Sequence, residues 1–515
     1  MPIEQIQKIA EGSPSFRRIL QTIRGSQRRL EVTGLSGSSK ALLLSFLHRE
    51  LGGPVLVIAA RPKEAEELAD DLTVLMGEAH YFQAWDVLPY EPSPPSVEVL
   101  ASRMETIHAL AQGEGPTVVT TIRALMQRTM PPKLLMEGTI HLKTGSSVPR
   151  DDLVHRLVDL GFERLPLVEG VGQFSVRGGI VDVFPHGCEN PYRVELFGDE
   201  IESIRQFDVS SQRSIAHQQE ALILPLGEVL ISADAGKKLP SKEMLDLLEE
   251  DPSSQGVQWI APLFPKPVAS LLDYLPEEAL VVLDDPDDIW PEVDNVLQEV
   301  EKEFSRASAE ARIVPPTELY DTKDRIQNEL NRFRLMAHRP LAGGELDVGT
   351  HPQEAMGADL SRLRGKLSEY AQGGYHSFIL CDNEGQARRL EELLEDVPPV
   401  LQIGVGALHG GFVFPEARLA VFTDHQIFNR YRRRHRFWKF RGGAAISSYS
   451  ALSAGDFVVH VDYGIGKYLG LEKVLPGEGS SLYLILRFLG VGLNGVWISL
   501  GGPWLFRRLR LAPEG

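Results

Sequence analysis

Over residues 1–130, short apolar runs alternate with longer stretches whose apolar residues recur at three- and four-residue spacing. The runs "RLEVTGL", "GPVLVIAA" (53–60), "AHYFQ" and "PTVVTTI" read as buried strands. "SKALLLSFLHREL", the stretch from Pro62 to about Met76, and Ser96–Gln112 read as helices. Such alternation predicts a parallel sheet covered by helices on both faces. "PYEPSPPS" (89–96) is too rich in proline for either element and is predicted as loop.

From about 138 to 225 the period shortens to two. "FSVRGGIVDVFP" and "YRVELFGDEIESIRQFD" predict short paired strands with a Gly-Asp turn at 198–199, preceded by a helix at 150–161. This is the pattern of an α+β insertion. Strand–helix alternation returns with "ALVVLDDPDD" (279–288) and a long acidic helix at roughly 290–312. A smaller α/β unit follows, with a helix from Asp359 to Gln372, the strand "SFILCDN", a helix at 384–395 and the strand "LAVFTDHQIF". Residues 428–450 read as a basic linker, and "AGDFVVHVDYGIGKYLGLEKV" as strands of a small β-barrel.

Length and composition narrow the class. The 515 residues suffice for several cores, and 53 basic against 71 acidic residues give a net charge of −18. A surface that binds nucleic acid throughout is excluded, whereas a local basic patch is not. Cys188 and Cys381 are the two cysteines, too few for a disulfide framework or a zinc site, and no metal is expected. The N-terminus lacks the apolar core of a signal peptide, and no apolar run has the length of a membrane span. A cytoplasmic protein without a membrane partner is the expectation.

The segment "TGLSGSSKALL" (33–43) has the outline of a phosphate-binding loop of the form G-x-x-x-x-G-K-[ST]. Gly34, Gly37 and Lys40 are its candidate nucleotide ligands. Ser39 stands where the second glycine belongs and Ala41 where the magnesium hydroxyl belongs. Ala41 cannot bind Mg²⁺, and serine enters positive-φ geometry less readily than glycine. Asp284 and Asp285 offer an acidic strand end, for which a buried strand stopping at the "DDPDD" turn is the favoured reading. The loop is expected to be a relic, with no cofactor required; an ATPase built on Lys40 and Asp284 is the alternative.

The stretch "GQFSVRGGIVDVFPHGCENPYRVELFGDEIESIRQFDVSSQRSI" (172–215), taken with this loop, resembles the N-terminal module of bacterial transcription-repair coupling factors, which is homologous to excinuclease B. "GDFVVHVDYGIGKYLGLEKV" (455–474) resembles the RNA-polymerase-interacting domain of the same family, shared with CarD-type regulators. The resemblance implies a multidomain α/β and α+β chain: a degenerate helicase-like α/β domain (1–137), an insertion that binds excinuclease A (138–225), completion of the first domain (226–340), a small α/β domain (341–427), the basic linker (428–450) and a CarD-like, Tudor-like β-barrel (451–515). ATP use in the family belongs to a translocase beyond the polymerase-binding domain, which is expected to be absent before Gly515. The long aromatic hairpin with which excinuclease B clamps damaged DNA has no counterpart around "WDVLPYEPSPPSVEVLASRMETIHAL".

The same resemblance assigns Arg177 to the excinuclease A contact, with Arg164 and Phe174 beside it on the sheet face; Phe184 reads as core. Asp199, Glu200, Arg205 and Asp208 read as a solvated surface with internal ion pairs. Tyr468, Leu469 and Leu471 are the apolar candidates for contacting the RNA polymerase β subunit through an exposed strand edge, with barrel core as the alternative. "RYRRRHRFWKFR" (430–441) carries seven Arg/Lys. Its Arg432, Arg433, Arg434 and Arg436 are candidates for weak duplex-DNA backbone contact, against a solvated linker or an intramolecular dock. The tail "LGVGLNGVWISLGGPWLFRRLRLAPEG" departs from the family, as a reading-frame change near 489 or a divergent domain end would make it. An incomplete barrel lacking closing strands is expected there. The functional expectation is a scaffold of transcription-coupled nucleotide excision repair, against a DNA-stimulated ATPase or a CarD-like transcription regulator.

Overall fold

The computed structural model describes residues 2–90, 95–228, 269–308, 315–340, 344–394 and 401–429, and the backbone of five strands between 457 and 509. The chain divides into two units, the first formed by 1–142, 151–162 and 222–435, the second by 143–150, 163–221 and 436–515.

The first unit holds a seven-stranded sheet, every strand parallel to its neighbours. Its order is Leu346–Asp347, Arg29–Thr33, Arg334–Arg339, Leu280–Asp284, Val55–Ala59, Thr117–Thr121, His80–Phe82. Its strand Val55–Ala59 is apolar at both parities because both faces are covered. Val55, Val57 and Ala59 enter one hydrophobic cluster, while Leu56 and Ile58 enter the cluster on the other face. Strands from beyond residue 279 take places inside a sheet begun before residue 60, so the polypeptide leaves this domain and returns to complete it. Pro286 does not sit in a turn, as the "DDPDD" reading expected. It is the first residue of helix Pro286–Ala307, where its fixed φ and missing N–H cost nothing, and Asp287 and Asp288 complement the helix N-terminus.

A five-stranded mixed sheet follows within the same unit, ordered His351–Pro352, Phe412–Phe414, Leu419–Thr423, His376–Cys381, Leu401–Val405. The two sheets share one core. Helices Pro2–Glu11 and Pro14–Arg24 lie in it, and Phe16 touches Phe46 of the first lobe (5.7 Å between ring centroids) and Phe414 of the second (5.4 Å).

The returning chain is fastened by a buried ion pair. Arg103 and Glu228 are both almost fully enclosed, with Arg103 Nε and Nη2 donating to Glu228 Oε1 at 3.0 and 2.9 Å. Trp85 Nε1 and Thr129 Oγ1 donate to the same carboxylate, and the guanidinium lies 4.1 Å from the Phe82 ring centroid.

In the second unit a six-stranded sheet runs Ser214–Gln218, Glu200–Phe207, Tyr192–Phe197, Ile180–Val183, Gln173–Arg177, Glu163–Arg164. It is antiparallel except for its last pair. Gly198 takes the positive φ (65°) that the two-residue hairpin needs. Phe184, expected in the core, packs with Val168 and Phe207.

Five further strands form an antiparallel sheet ordered Val496–Ser499, Ser481–Phe488, Gly464–Val474, Phe457–His460, Phe506–Leu509. In the tail, Val496–Ser499 and Phe506–Leu509 are strands and occupy the two ends of the sheet. No helix among the described residues is long and apolar enough to cross a membrane.

Removing one partner of a buried ion pair strands the other. Glu228→Ala should lower the stability of the first unit by about 3–5 kcal/mol, seen as an earlier urea transition in far-UV circular dichroism.

Candidate functional site

The Gly/Ser loop joins strand Arg29–Thr33 to helix Ser39–Leu51, where a phosphate-binding loop would be. Its positive-φ positions are Gly34 (73°) and Gly37 (55°). Ser39 is already helical, so the missing glycine imposes no strain there, contrary to the sequence-based argument. The Ser39 hydroxyl instead closes the loop on itself, donating to Ser36 O at 2.7 Å and accepting from Ser36 N at 3.0 Å. Ala41 is fully buried in the core.

Several of the loop's polar groups are engaged by the protein. Ser36 N donates to Thr350 Oγ1 at 2.8 Å, and that hydroxyl donates to Gly34 O at 2.8 Å. Ser38 N donates to Gly410 O at 2.9 Å, and Gly410 N returns a bond to Ser38 Oγ at 3.0 Å. Ser38 Oγ donates to Asp71 Oδ2 at 2.6 Å, while the His409 backbone N–H donates to Asp71 Oδ1 at 2.8 Å. A Cβ on Gly37 would lie 2.7 Å from Gly411 O and 2.8 Å from Gly410 O, so the second lobe's loop sits directly on the first lobe's glycine.

Lys40 is present but committed. Its Nζ donates to both oxygens of Asp284, at 2.7 and 2.6 Å, and His338 Nδ1 lies 2.8 Å from Asp284 Oδ1. Burial alone would raise the Asp284 carboxyl; Lys40 and His338 together outweigh it and hold it down at about 2. Asp284 therefore ends a buried strand, as favoured from sequence, and also meets Lys40. Asp71, His338, Thr350, His409 and Gly410 were not singled out from sequence. The one available signal was the buried spacing of Asp71 on the helix Pro62–Met76, whose neighbours Ala69 and Leu72 are core.

A second constellation lies on the six-stranded sheet. Pairing puts Arg177 opposite Ile180, Ser175 opposite Asp182, Asp182 opposite Arg193, and Arg193 opposite Arg205, all on one face. Asp182 has no exposed side-chain surface and accepts from Arg193 Nε and Nη2 (2.7 and 2.9 Å) and from Arg177 Nη2 (2.5 Å). Arg193 also stands 4.3 Å over the Phe207 ring, and Arg205 pairs with Glu195 as an internal ion pair. The ion pairs thus join three guanidinium groups to two carboxylates.

Of the expected contact residues, Arg177 is 46% exposed at its side chain. Phe174 is fully buried, and lying an odd number of residues from Arg177 in one strand, it faces the opposite side of the sheet. Arg164 is exposed, but its register pairs it with Phe174 and so with that opposite side. An exposed aromatic on the Arg177 face is Phe197, at the end of strand Tyr192–Phe197 and 80% exposed.

Tyr468, Leu469 and Leu471 lie on strand Gly464–Val474. Phe457–His460 pairs only as far as Lys467, so residues 468–474 have Ser481–Phe488 as their one described partner, with an irregularity between Tyr468 and Gly470. Arg432, Arg433, Arg434 and Arg436 lie outside the described residues. No group of three or more His, Cys, Asp or Glu among the described residues could hold a metal.

Two stretches of the chain match known domain families. Residues 140–228 match the UvrB interaction domain and residues 452–495 the CarD-like/TRCF RID domain. The chain is 29% identical over 540 residues to the transcription-repair-coupling factor of Bacillus subtilis (strain 168), covering 95% of the chain and 46% of that relative. It is also 29% identical over 554 residues to that of Myxococcus xanthus (93% and 45%) and 28% identical over 559 residues to that of Mycobacterium bovis (96% and 45%). The chain thus spans under half the length of the curated relatives it matches. The two domains and this coverage fit the N-terminal part of a transcription-repair-coupling factor.

The Asp284 carboxyl is lowered from 3.8 to about 2, so its contribution to stability is full above about pH 4 and is lost as pH falls towards 2. Asp284→Asn should lower the thermal midpoint at neutral pH and flatten the loss between about pH 4 and 2 in an acid series.

Proposed function

We propose that this chain is a scaffold of transcription-coupled nucleotide excision repair, joining RNA polymerase to excinuclease A, the damage-recognition component, in the cytoplasm. The observation that carries the reading is the Arg177 face within the matched interaction domain. A half-exposed arginine and an exposed phenylalanine stand together on a rigid sheet, the residue types that anchor polar interfaces. The polymerase β subunit is assigned to the strand Gly464–Val474, which carries Tyr468, Leu469 and Leu471 inside the matched CarD-like/TRCF RID domain. Closure of the five-stranded sheet into a small barrel, and the domain boundaries read from sequence, belong to this proposal.

In this reading the loop at 33–43 has a structural role. Its donors and Lys40 are held by Thr350, Gly410 and Asp284, which supports a chain segment that neither binds nor turns over ATP. Equilibrium titration with Mg-ATP should give no binding heat, and phosphate release should stay at background with and without duplex DNA. Turnover abolished by Lys40→Ala would restore the ATPase alternative.

Binding to purified excinuclease A is the direct test. Arg177→Ala and Phe197→Ala should each weaken it by about 1–3 kcal/mol, with circular dichroism unchanged. Arg164→Ala, on the other face, should leave affinity within error. Equal affinity for all three variants and the parent would remove this face from the proposal, and failure to capture the polymerase β subunit would reduce the function to repair docking alone.

A further inference from the structure

We propose that Asp182 is a positioning residue for the excinuclease A contact: it holds Arg177 in the orientation that docks. The inference rests on the reading of this face just given.

A carboxylate with no exposed surface needs strong donors, because its desolvation is otherwise uncompensated. Arg193 supplies two, in the forked geometry that suits a carboxylate, and is itself held by Phe207 and by the backbone carbonyl of Gln212 at 3.1 Å. Asp182 is therefore immobile. Arg177 reaches it diagonally across one strand pair, from a position followed directly by the Gly178–Gly179 turn. The Arg177 bond is single, through Nη2, while nearly half its side chain stays exposed. One guanidinium nitrogen is pinned and the group is still presented at the surface.

Two consequences follow. A free arginine at a turn would lose rotamer freedom on binding; here that ordering has already occurred in the unbound protein. Asp182 also shares its single negative charge between two guanidinium groups, so its pairing leaves Arg177 with charge to offer an acidic group on the partner. Glu195, on the same face, is taken by Arg205 and by the Ser203 hydroxyl at 2.7 Å.

A double-mutant cycle on the full chain tests this, with binding to purified excinuclease A as one readout and the thermal midpoint as the other. Arg177→Ala is expected to weaken binding by about five- to a hundredfold. Asp182→Asn should weaken it by about three- to tenfold, the cost of ordering one long side chain. In the Arg177→Ala background, Asp182→Asn should change affinity less than about twofold, although it still lowers the midpoint. Asp182→Glu, which keeps the charge and shifts the carboxylate, is read the same way if the asparagine variant does not fold. Equal affinity losses from Asp182→Asn in both backgrounds would make its effect merely structural and overturn the proposal, while leaving the docking face intact. No loss from Arg177→Ala would instead overturn the docking face, and the role of Asp182 with it.

Discussion

The first unit depends on the contact between Gly37 and the Gly410–Gly411 backbone. Only glycine allows two main chains to approach this closely, and the approach exchanges two hydrogen bonds between Ser38 and Gly410. Around it, Asp71 links the helix Pro62–Met76 to both sides of the contact, and Thr350 fills the mouth of the loop. The shared core containing Phe16, Phe46 and Phe414 holds the two lobes in the register this contact needs. A loop shape that elsewhere receives phosphate oxygens here receives a carbonyl, a hydroxyl and a carboxylate of its own chain. The chemistry is similar, since backbone N–H groups at a helix N-terminus donate to any well-placed oxygen.

Lys40 and Asp284 extend the same logic. A lysine and an aspartate that would share a metal-bound nucleotide neutralise each other directly, with His338 completing the buried group. The pair lies well inside the protein, so its attraction is little screened, and each partner's presence is what makes the other's burial tolerable. On the six-stranded sheet, a buried carboxylate likewise organises the arginines around it, but there the outer arginine stays at the surface, where it can meet a partner.

Much of the architecture was legible. The apolar runs of residues 29–60 and 117–121 became parallel strands, the Gly-Asp pair at 198–199 became a hairpin, and Ala41 proved to be core. The opposite facing of Phe174 and Arg177 was also legible, because residues three apart in a strand point to different sides; a family likeness had grouped them instead. The strands of the tail were hard to read for a different reason. Val496–Ser499 and Phe506–Leu509 are each only four residues long, too short to show a period among glycines, and their strand character depends on pairing with Ser481–Phe488 and Phe457–His460.

The sequence by itself determined which residue types occupy the loop, the alternation that builds each sheet, and the loss of a magnesium-binding hydroxyl at position 41. These are local properties, set by backbone conformation and side-chain chemistry within a few residues. Only the tertiary structure decided what closes the loop and what holds Lys40. Thr350, Gly410 and Asp284 come from more than 240 positions further along the chain. Sheet order and register, fixed by the packing of whole lobes, bring them there, and no period in the sequence encodes that meeting.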